Sequence, residues 1–357
     1  MNFLHSDRLS DFNNTNVALH KKPTPFRGQI LVNRFLVTGC TGFIGSQVMA
    51  ALQHRGAIIR GLTRQKKPAR IPVGIDIFCG DLARPGTLSG VATDIDTIIH
   101  AAGIAHTLTA DVGRHRQTTV EGTRRLLAEA KEYGVRDFVF VSSVKAMAEP
   151  GDECIDETEI GLPHDEYGLA RRGAEDLVLS AGRSTGMHVC VLRPALVYGP
   201  GCKGNLASML NWVGKGLFPP LPDSGNRRSM VDVRDLVNAI LLAAERKSAQ
   251  HRIFIITDGE EYSSRRIYGA MRQAFGLQMP TWSIPVWLLR SLGRTGDLYR
   301  KTAGRPALFD SCTCSRLLDS ACYRSRYAAT DLGFSPDYRF EDAVAEMVAE
   351  YQRSQLS

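Results

Sequence analysis

The stretch Arg34-Phe35-Leu36-Val37-Thr38-Gly39-Cys40-Thr41-Gly42-Phe43-Ile44-Gly45 decides the fold. Its first five residues form a short apolar run of the kind that makes a buried strand, and residues 44–55 have helical spacing. Three glycines stand between them at a spacing of three and three. The first permits a tight turn, the second lets backbone approach a pyrophosphate, and the third allows close packing of helix on strand. The helix N-terminus then faces the phosphates. A glycine triplet alone says little, because turns collect glycine. Its place in a strand–loop–helix unit makes it a dinucleotide loop, with Gly39, Thr41, Gly42, Phe43, Ile44 and Gly45 as cofactor-contacting residues.

Working outward, 57–62 reads as a second strand, 74–79 as a third and 97–100 as a fourth. A helical stretch over 118–133 leads to a strand at 138–141, and another over 166–181 leads to a strand at 188–192. Strand and helix alternate, and the strands are nearly continuous apolar runs. That is the pattern of a parallel sheet covered on both faces, an α/β doubly wound (Rossmann) architecture. After Pro194 the alternation breaks into Gly- and Pro-rich loops around a helix at 232–246 and a last strand at 252–256, followed by a helical C-terminal third. The expected organisation is a tail over 1–33 and a dinucleotide-binding domain over 34–200, completed by about 230–257. Residues 201–229 and 258–357 then form a smaller, mixed substrate-binding region.

The end of the second strand bears on the choice of dinucleotide. An acidic residue there binds the ribose 2′-hydroxyl of NAD, whereas an arginine accepts the 2′-phosphate of NADP. The run Leu62-Thr63-Arg64-Gln65-Lys66-Lys67 has no carboxylate, so Arg64 tilts the expectation toward NADP, with NAD the alternative. Asp81 and Leu82 follow the third strand, where the aspartate can meet the adenine amino group. Ala101, Ala102 and Gly103 follow the fourth, small enough to let a cofactor lie on backbone.

The chain has 357 residues, 43% of them apolar and 23% charged, near the averages of globular proteins. No apolar run approaches the roughly 18–20 residues of a membrane helix. Asp7, Arg8 and Asp11 stand where a signal peptide needs an apolar stretch, so the expected location is the cytoplasm. Of the net charge of +7, residues 286–327 supply +5. A local basic surface suits an anionic substrate or an anionic membrane face, and weak peripheral membrane association is one expectation beside plain solvated arginines. Nucleic acid is not expected, because no nucleic-acid motif accompanies the charge. Eight cysteines (40, 79, 154, 190, 202, 312, 314, 322) form no metal-ligand spacing. They read as small core hydrophobes in a reducing compartment, and no metal is expected.

The residues that carry chemistry are Ser142-Ser143-Val144-Lys145, Tyr167-Gly168-Leu169-Ala170-Arg171, Arg193 through Gly201, Lys203-Gly204-Asn205 and Asn226-Arg227-Arg228-Ser229. With the glycine loop, they resemble the extended short-chain dehydrogenase/reductase family of NAD-dependent epimerase/dehydratase type, from about Arg34 to the C-terminus. The resemblance is greatest to 4-reductases and dehydrogenases of bacterial O-antigen synthesis, which act on UDP-linked N-acetylated 6-deoxy-4-keto sugars. It implies that Ser143 bonds the reacting oxygen of the sugar, that Tyr167 is the acid/base, and that a cation one helical turn on lowers the phenol's pKa and holds the nicotinamide ribose. The cation here is Arg171, where the family has lysine, and the two are not interchangeable at a dense hydrogen-bonding site. Thr119 likewise stands where the family has asparagine. On the substrate side the resemblance points to Asn205 and Arg228 at the UDP diphosphate, and Lys145 can reach a phosphate or acyl group. His100 and His106 read as structural.

Three readings follow: an oxidoreductase using NADPH or NADH on a UDP-linked 4-keto sugar, a UDP-sugar 4-epimerase with tightly held NAD, and a catalytically weakened dinucleotide-binding homologue. A dehydratase is disfavoured, because Val144 and Lys145 follow Ser143 where elimination needs acids. A homodimer is a further expectation.

Overall fold

The computed structural model describes residues 33–356 except 67, 69, 70, 105–111, 152, 304–306 and 308. The expected tail, apart from Asn33, lies outside the described residues, as do His106 and Arg305. Strand β1 (Arg34–Thr38) runs into the glycine turn and helix α1 (Phe43–His54), and the chain returns as β2 (Ile58–Thr63). β3 (Asp76–Cys79) and β4 (Thr97–His100) follow. Next come α2 (Val112–His115), a six-residue π-helix (Arg116–Glu121) and α3 (Gly122–Glu132). Then come β5 (Asp137–Val141), α4 (Glu166–Thr185) and β6 (His188–Pro194).

Beyond Pro194 lie β7 (Leu196–Tyr198), α5 (Asn205–Gly214), β8 (Met230–Asp232), α6 (Val233–Glu245) and β9 (Arg252–Ile256). The C-terminal part is helical: α7 (Ser264–Ala274), α8 (Val286–Ala303), α9 (Ser311–Leu318) and α10 (Phe340–Leu356). Seven strands form one parallel sheet in the order β3-β2-β1-β4-β5-β6-β9, the doubly wound arrangement. The order reverses between β1 and β4, which is where ligands bind in such sheets.

The apolar strands bury both faces, because successive side chains point to opposite sides. Val37, Ile99, Val139 and Cys190 pack into a core with α1 and α6. Their neighbours Leu36, Ile98, Phe138 and Val189 pack into a second core with α3 and α4. A third core, with Tyr198, Leu210, Met271 and Phe340, joins α5, α7 and α10.

Four expectations are corrected. The helix expected over 118–133 starts earlier and contains the π segment, which carries buried Thr119 inward. Two short strands, β7 and β8, pair in parallel where no strand was expected. Cys79 is exposed, because β3 is the edge strand. Cys154 and Cys322, finally, are not free thiols but a disulfide. Ile155 and Tyr323 pair in an isolated parallel bridge, with the Ile155 N–H donating to the Cys322 carbonyl at 3.2 Å and the Arg324 N–H to that of Ile155 at 2.8 Å. This brings together the Cα atoms of two cysteines 168 residues apart in sequence, to 4.5 Å, which spacing alone does not reveal.

Candidate active site

The glycine turn lies at the reversal of the sheet. Gly39 has φ +69°, and a Cβ there would stand 2.9 Å from the backbone of Ala102 at the end of β4. A Cβ on Gly45 would collide with the Gly39 carbonyl, so α1 starts hard against the turn. Gly42 caps α1 in extended geometry, and no side chain caps that N-terminus. Cys40 is buried beneath, with its thiol on the Leu62 carbonyl at 3.3 Å.

His100, at the end of β4, is held more specifically than its sequence context suggests. Thr123 Oγ1 donates to the Thr119 carbonyl (2.6 Å) and therefore accepts from His100 Nε2, 3.0 Å away. His100 Nδ1 then accepts from Thr38 Oγ1 (2.6 Å), which itself accepts from the Ala102 N–H (3.1 Å). Burial, reinforced by the charge of Arg171, pushes the imidazole pKa down to about 3 and keeps it neutral. The chain of bonds fixes the Ala101-Ala102-Gly103 segment against the glycine turn.

Ser143 follows β5 in extended geometry, and its Oγ accepts from the Lys145 N–H at 3.2 Å. α4 starts beside this turn: Asp165 caps it by accepting from the Gly168 N–H at 2.7 Å. A Cβ on Gly168 would collide with the Lys145 carbonyl. Gly168 thus lets the N-terminus of α4, with Tyr167, pack against the Ser143 turn.

Arg171, one turn further, is 6% exposed. Its guanidinium carbon lies 5.3 Å from the centre of the Tyr167 ring, and one of its N–H groups donates to the Val141 carbonyl at 3.1 Å. The same guanidinium lies against Gly103, in space that a Cβ would need. Its Nε is buried without a partner among the described residues. The structure therefore brings Tyr167, Arg171 and Gly103 together at the ends of β4 and β5, with Ser143 on the adjoining turn.

Behind them lies a buried ion pair. Arg193 donates to Glu175 through Nε (2.9 Å) and a terminal nitrogen (2.5 Å), and Ser142 Oγ donates to the same carboxylate at 2.6 Å. Tyr167, Arg171 and Glu175 follow one another at intervals of four, so one face of α4 carries all three. That interval is the signal by which Glu175, passed over in the sequence, could have been found. His115 packs edge-on to the Tyr167 ring, with centroids 5.8 Å apart. No sequence signal points to it, since it lies 52 positions from Tyr167 on the chain.

The other expected residues are spread more widely. Arg64 is exposed at the end of β2. Asp81 accepts from the Ala83 N–H (3.0 Å) and lies 3.7 Å from Arg84, while Leu82 packs against Gly122. Lys145 is paired with Glu149 at 2.6 Å. Asn205 is exposed at the start of α5. Arg228 precedes β8 and donates to the carbonyls of Arg316 (2.8 Å) and Asp319 (2.9 Å), and burial holds its pKa below the ordinary arginine value. Among the described residues the candidate metal donors that cluster are Cys154, Cys322 and Glu261, and two of these form the disulfide.

An uncapped helix N-terminus, a glycine turn with no room for side chains and a buried guanidinium with an unpartnered nitrogen beside Gly103 fit a nicotinamide dinucleotide. Fold and site together define a dinucleotide-dependent α/β enzyme of the short-chain type. Residues 35–257 match the NAD dependent epimerase/dehydratase family, and the chain belongs to it. It is 30% identical over 323 residues to UDP-glucose 4-epimerase of Vibrio cholerae, covering 87% of this chain and 93% of that one. It is 26% identical to a 3-beta-hydroxysteroid dehydrogenase of Mycolicibacterium neoaurum, covering 90% and 92%. Among solved structures, the UDP-glucose 4-epimerase of Thermotoga maritima, crystallised with UDP-glucose, superposes with a TM-score of 0.74 over 90% of this chain and 99% of that one. At 23% identity that likeness shows the fold. The chain is accordingly an NAD(P)-dependent enzyme of epimerase/dehydratase type.

Proposed function

We propose that the enzyme is a nucleotide-sugar oxidoreductase that transfers hydride at C4 of a UDP-linked 4-keto/4-hydroxy sugar, of the kind used in bacterial O-antigen synthesis. The observation that carries this is the convergence of Tyr167, Arg171 and the Ser143 turn beside Gly103, at the sheet's reversal. The bound nicotinamide supplies or takes up the hydride. Ser143 Oγ accepts from the Lys145 N–H, which leaves its own hydrogen to be donated to the C4 oxygen. The Tyr167 phenol gives that oxygen a proton in reduction and removes it in oxidation. Arg171, over the ring face, stabilises the phenolate left behind, and its Nε has a bonding position to offer the ribose. Gly39, Thr41, Gly42, Phe43, Ile44 and Gly45 take the pyrophosphate, Asp81 and Leu82 the adenosine side, and Ala101, Ala102 and Gly103 the nicotinamide side. Asn205 and Arg228 hold the diphosphate, with Lys145 at the substrate's edge once it leaves Glu149.

An exposed Arg64, in a run 62–67 that contains no carboxylate, supports NADP over NAD. The nucleotide half spans 34–200, completed by about 230–257, and residues 201–229 and 258–357 cover the sugar. A cytoplasmic location and a homodimer complete the reading; no helix among the described residues is long and apolar enough to cross a membrane.

The similarity to UDP-glucose 4-epimerase supports a second reading, 4-epimerisation on a retained NAD. Nicotinamide absorbance on mixing purified enzyme with NADPH or NADH and UDP-linked 4-keto sugars separates the two. Stoichiometric oxidation of the cofactor is expected. Interconversion of UDP-glucose and UDP-galactose with no net absorbance change makes the enzyme the epimerase, and neither signal with any UDP-sugar overturns both.

A further inference from the structure

We propose that the outer face of α8, with the turn before it, is a docking surface for an anionic lipid membrane. α8 packs against the rest of the chain along one narrow line. Leu289 is buried with Cys314 and Leu318, a Cβ on Gly293 would stand 3.1 Å from the Ser311 backbone, and one on Gly296 would strike the Phe309 carbonyl. The opposite face has no such cover. At 100° per residue, Trp287 and Leu298 share one line of that face, and Arg290, Arg294 and Lys301 share the line next to it. Trp287 is 68% exposed, Leu298 62%, and Trp282, just before the helix, 62%. Two of the chain's three tryptophans, one on this face and one in the turn that leads into it, are therefore largely in water. Among the described residues no ion pair involves Arg290, Arg294 or Lys301, whereas Arg300, on the packed side, is paired with Asp297 and Asp310.

A solvated helix has no use for indoles at these positions. A duplex nucleic acid would satisfy the cations but leave Trp287 and Leu298 in water, and a single strand that stacked a base on Trp287 would still leave Leu298 there. An anionic bilayer satisfies both rows at once: the indoles and the leucine enter the interface, and the guanidinium and ammonium groups meet lipid phosphates at its rim. Tryptophan is enriched at that depth for the same reason. The Ile284 N–H donates to the Pro220 carbonyl at 3.0 Å, which ties the turn before α8 to the body of the chain. The inference does not depend on the reaction proposed above.

The test uses the full chain and flotation with vesicles of phosphatidylcholine alone or mixed with phosphatidylglycerol. Binding to the anionic vesicles only is expected, weakened by salt and accompanied by a blue shift of tryptophan emission. The triple variant Arg290→Glu, Arg294→Glu, Lys301→Glu should bind at least about 100-fold more weakly, since each basic residue near an anionic surface contributes about a fivefold factor. Trp287→Ser should bind more weakly and show a smaller blue shift, with cofactor affinity unchanged as evidence of folding. No flotation of the wild type, equal flotation with both vesicle types, or unaltered binding of the triple variant overturns the proposal. So does a stable dimer in buffer that Trp287→Ser converts to monomer while vesicles bind neither form, because the patch is then covered by a second copy of the chain.

Discussion

At the scale of single residues, the exchange of lysine for Arg171 has a visible accommodation. A guanidinium is longer and broader than an ammonium, and here it fits because position 103 has no side chain. Tyr167→Phe should abolish turnover while cofactor affinity, read by calorimetry, stays within about a factor of two. Arg171→Lys should retain or raise the rate, since a compact ammonium serves phenol and ribose together. Gly103→Ala should lower turnover at least about tenfold in the wild type by displacing the guanidinium, yet have little effect in the Arg171→Lys background. The coupling of the two, on the order of 1–3 kcal/mol in a double-mutant cycle, measures the contact. Equal effects of Gly103→Ala in both backgrounds would show that the two positions act independently.

At the scale of elements, α4 and the glycine turn are held by different forces. α4 is fixed to β5 and β6 by the pair of Glu175 and Arg193, both under 3% exposed, together with Ser142. Arg193→Leu strands a buried carboxylate and should destabilise the fold by about 3–5 kcal/mol in urea titration. Replacing both partners by leucine should recover a large part of that loss, because no charge is then left unpaired. The glycine turn is held by contact instead. Gly45→Ala pushes α1 off the Gly39 carbonyl, and overpacking of this kind costs about 1–3 kcal/mol. Its expected reading is weaker binding of both NAD and NADP by calorimetry, at least about tenfold, with unchanged discrimination between them.

At the scale of the whole molecule, two buried groups work against each other in the dependence of stability on pH. His100 has its pKa lowered to about 3 from 6.5, so its contribution is complete above 6.5 and is lost as pH falls from there toward 3. Asp235, buried and accepting from the N–H groups of Asp337 and Tyr338, has its pKa raised from 3.8 to about 6, chiefly by desolvation. Its contribution is complete below 3.8 and is lost as pH rises through about 6. Between about pH 4 and 6 the two slopes have opposite sign and similar size. Asp235→Asn removes one of them, so its urea stability should fall more steeply than the wild type's between pH 6 and 4. Parallel curves for the two proteins would dissociate Asp235 from this balance.

Much of this protein was decided by sequence alone. The apolar strand runs, their alternation with helices and the glycine spacing specify a doubly wound sheet, because period-two burial on both faces and a turn without Cβ atoms are local demands. Tyr167, Arg171 and Ser143 were singled out by resemblance to the family; that Tyr167 and Arg171 share a helix face follows locally, because four residues make about one helical turn. Tertiary structure decided whatever depends on residues far apart in the chain. Gly103 meets Arg171, Thr38 and Thr123 set the tautomer of His100, and Arg193 neutralises Glu175 only after separate elements have packed. The bond between Cys154 and Cys322 is of the same kind, since a bridge at Ile155 and Tyr323 creates a proximity that no spacing encodes. The basic charge of 286–327 could be counted in the sequence. Which cations form no ion pair among the described residues, and that they line up beside Trp287, follows from which face of α8 the core occupies.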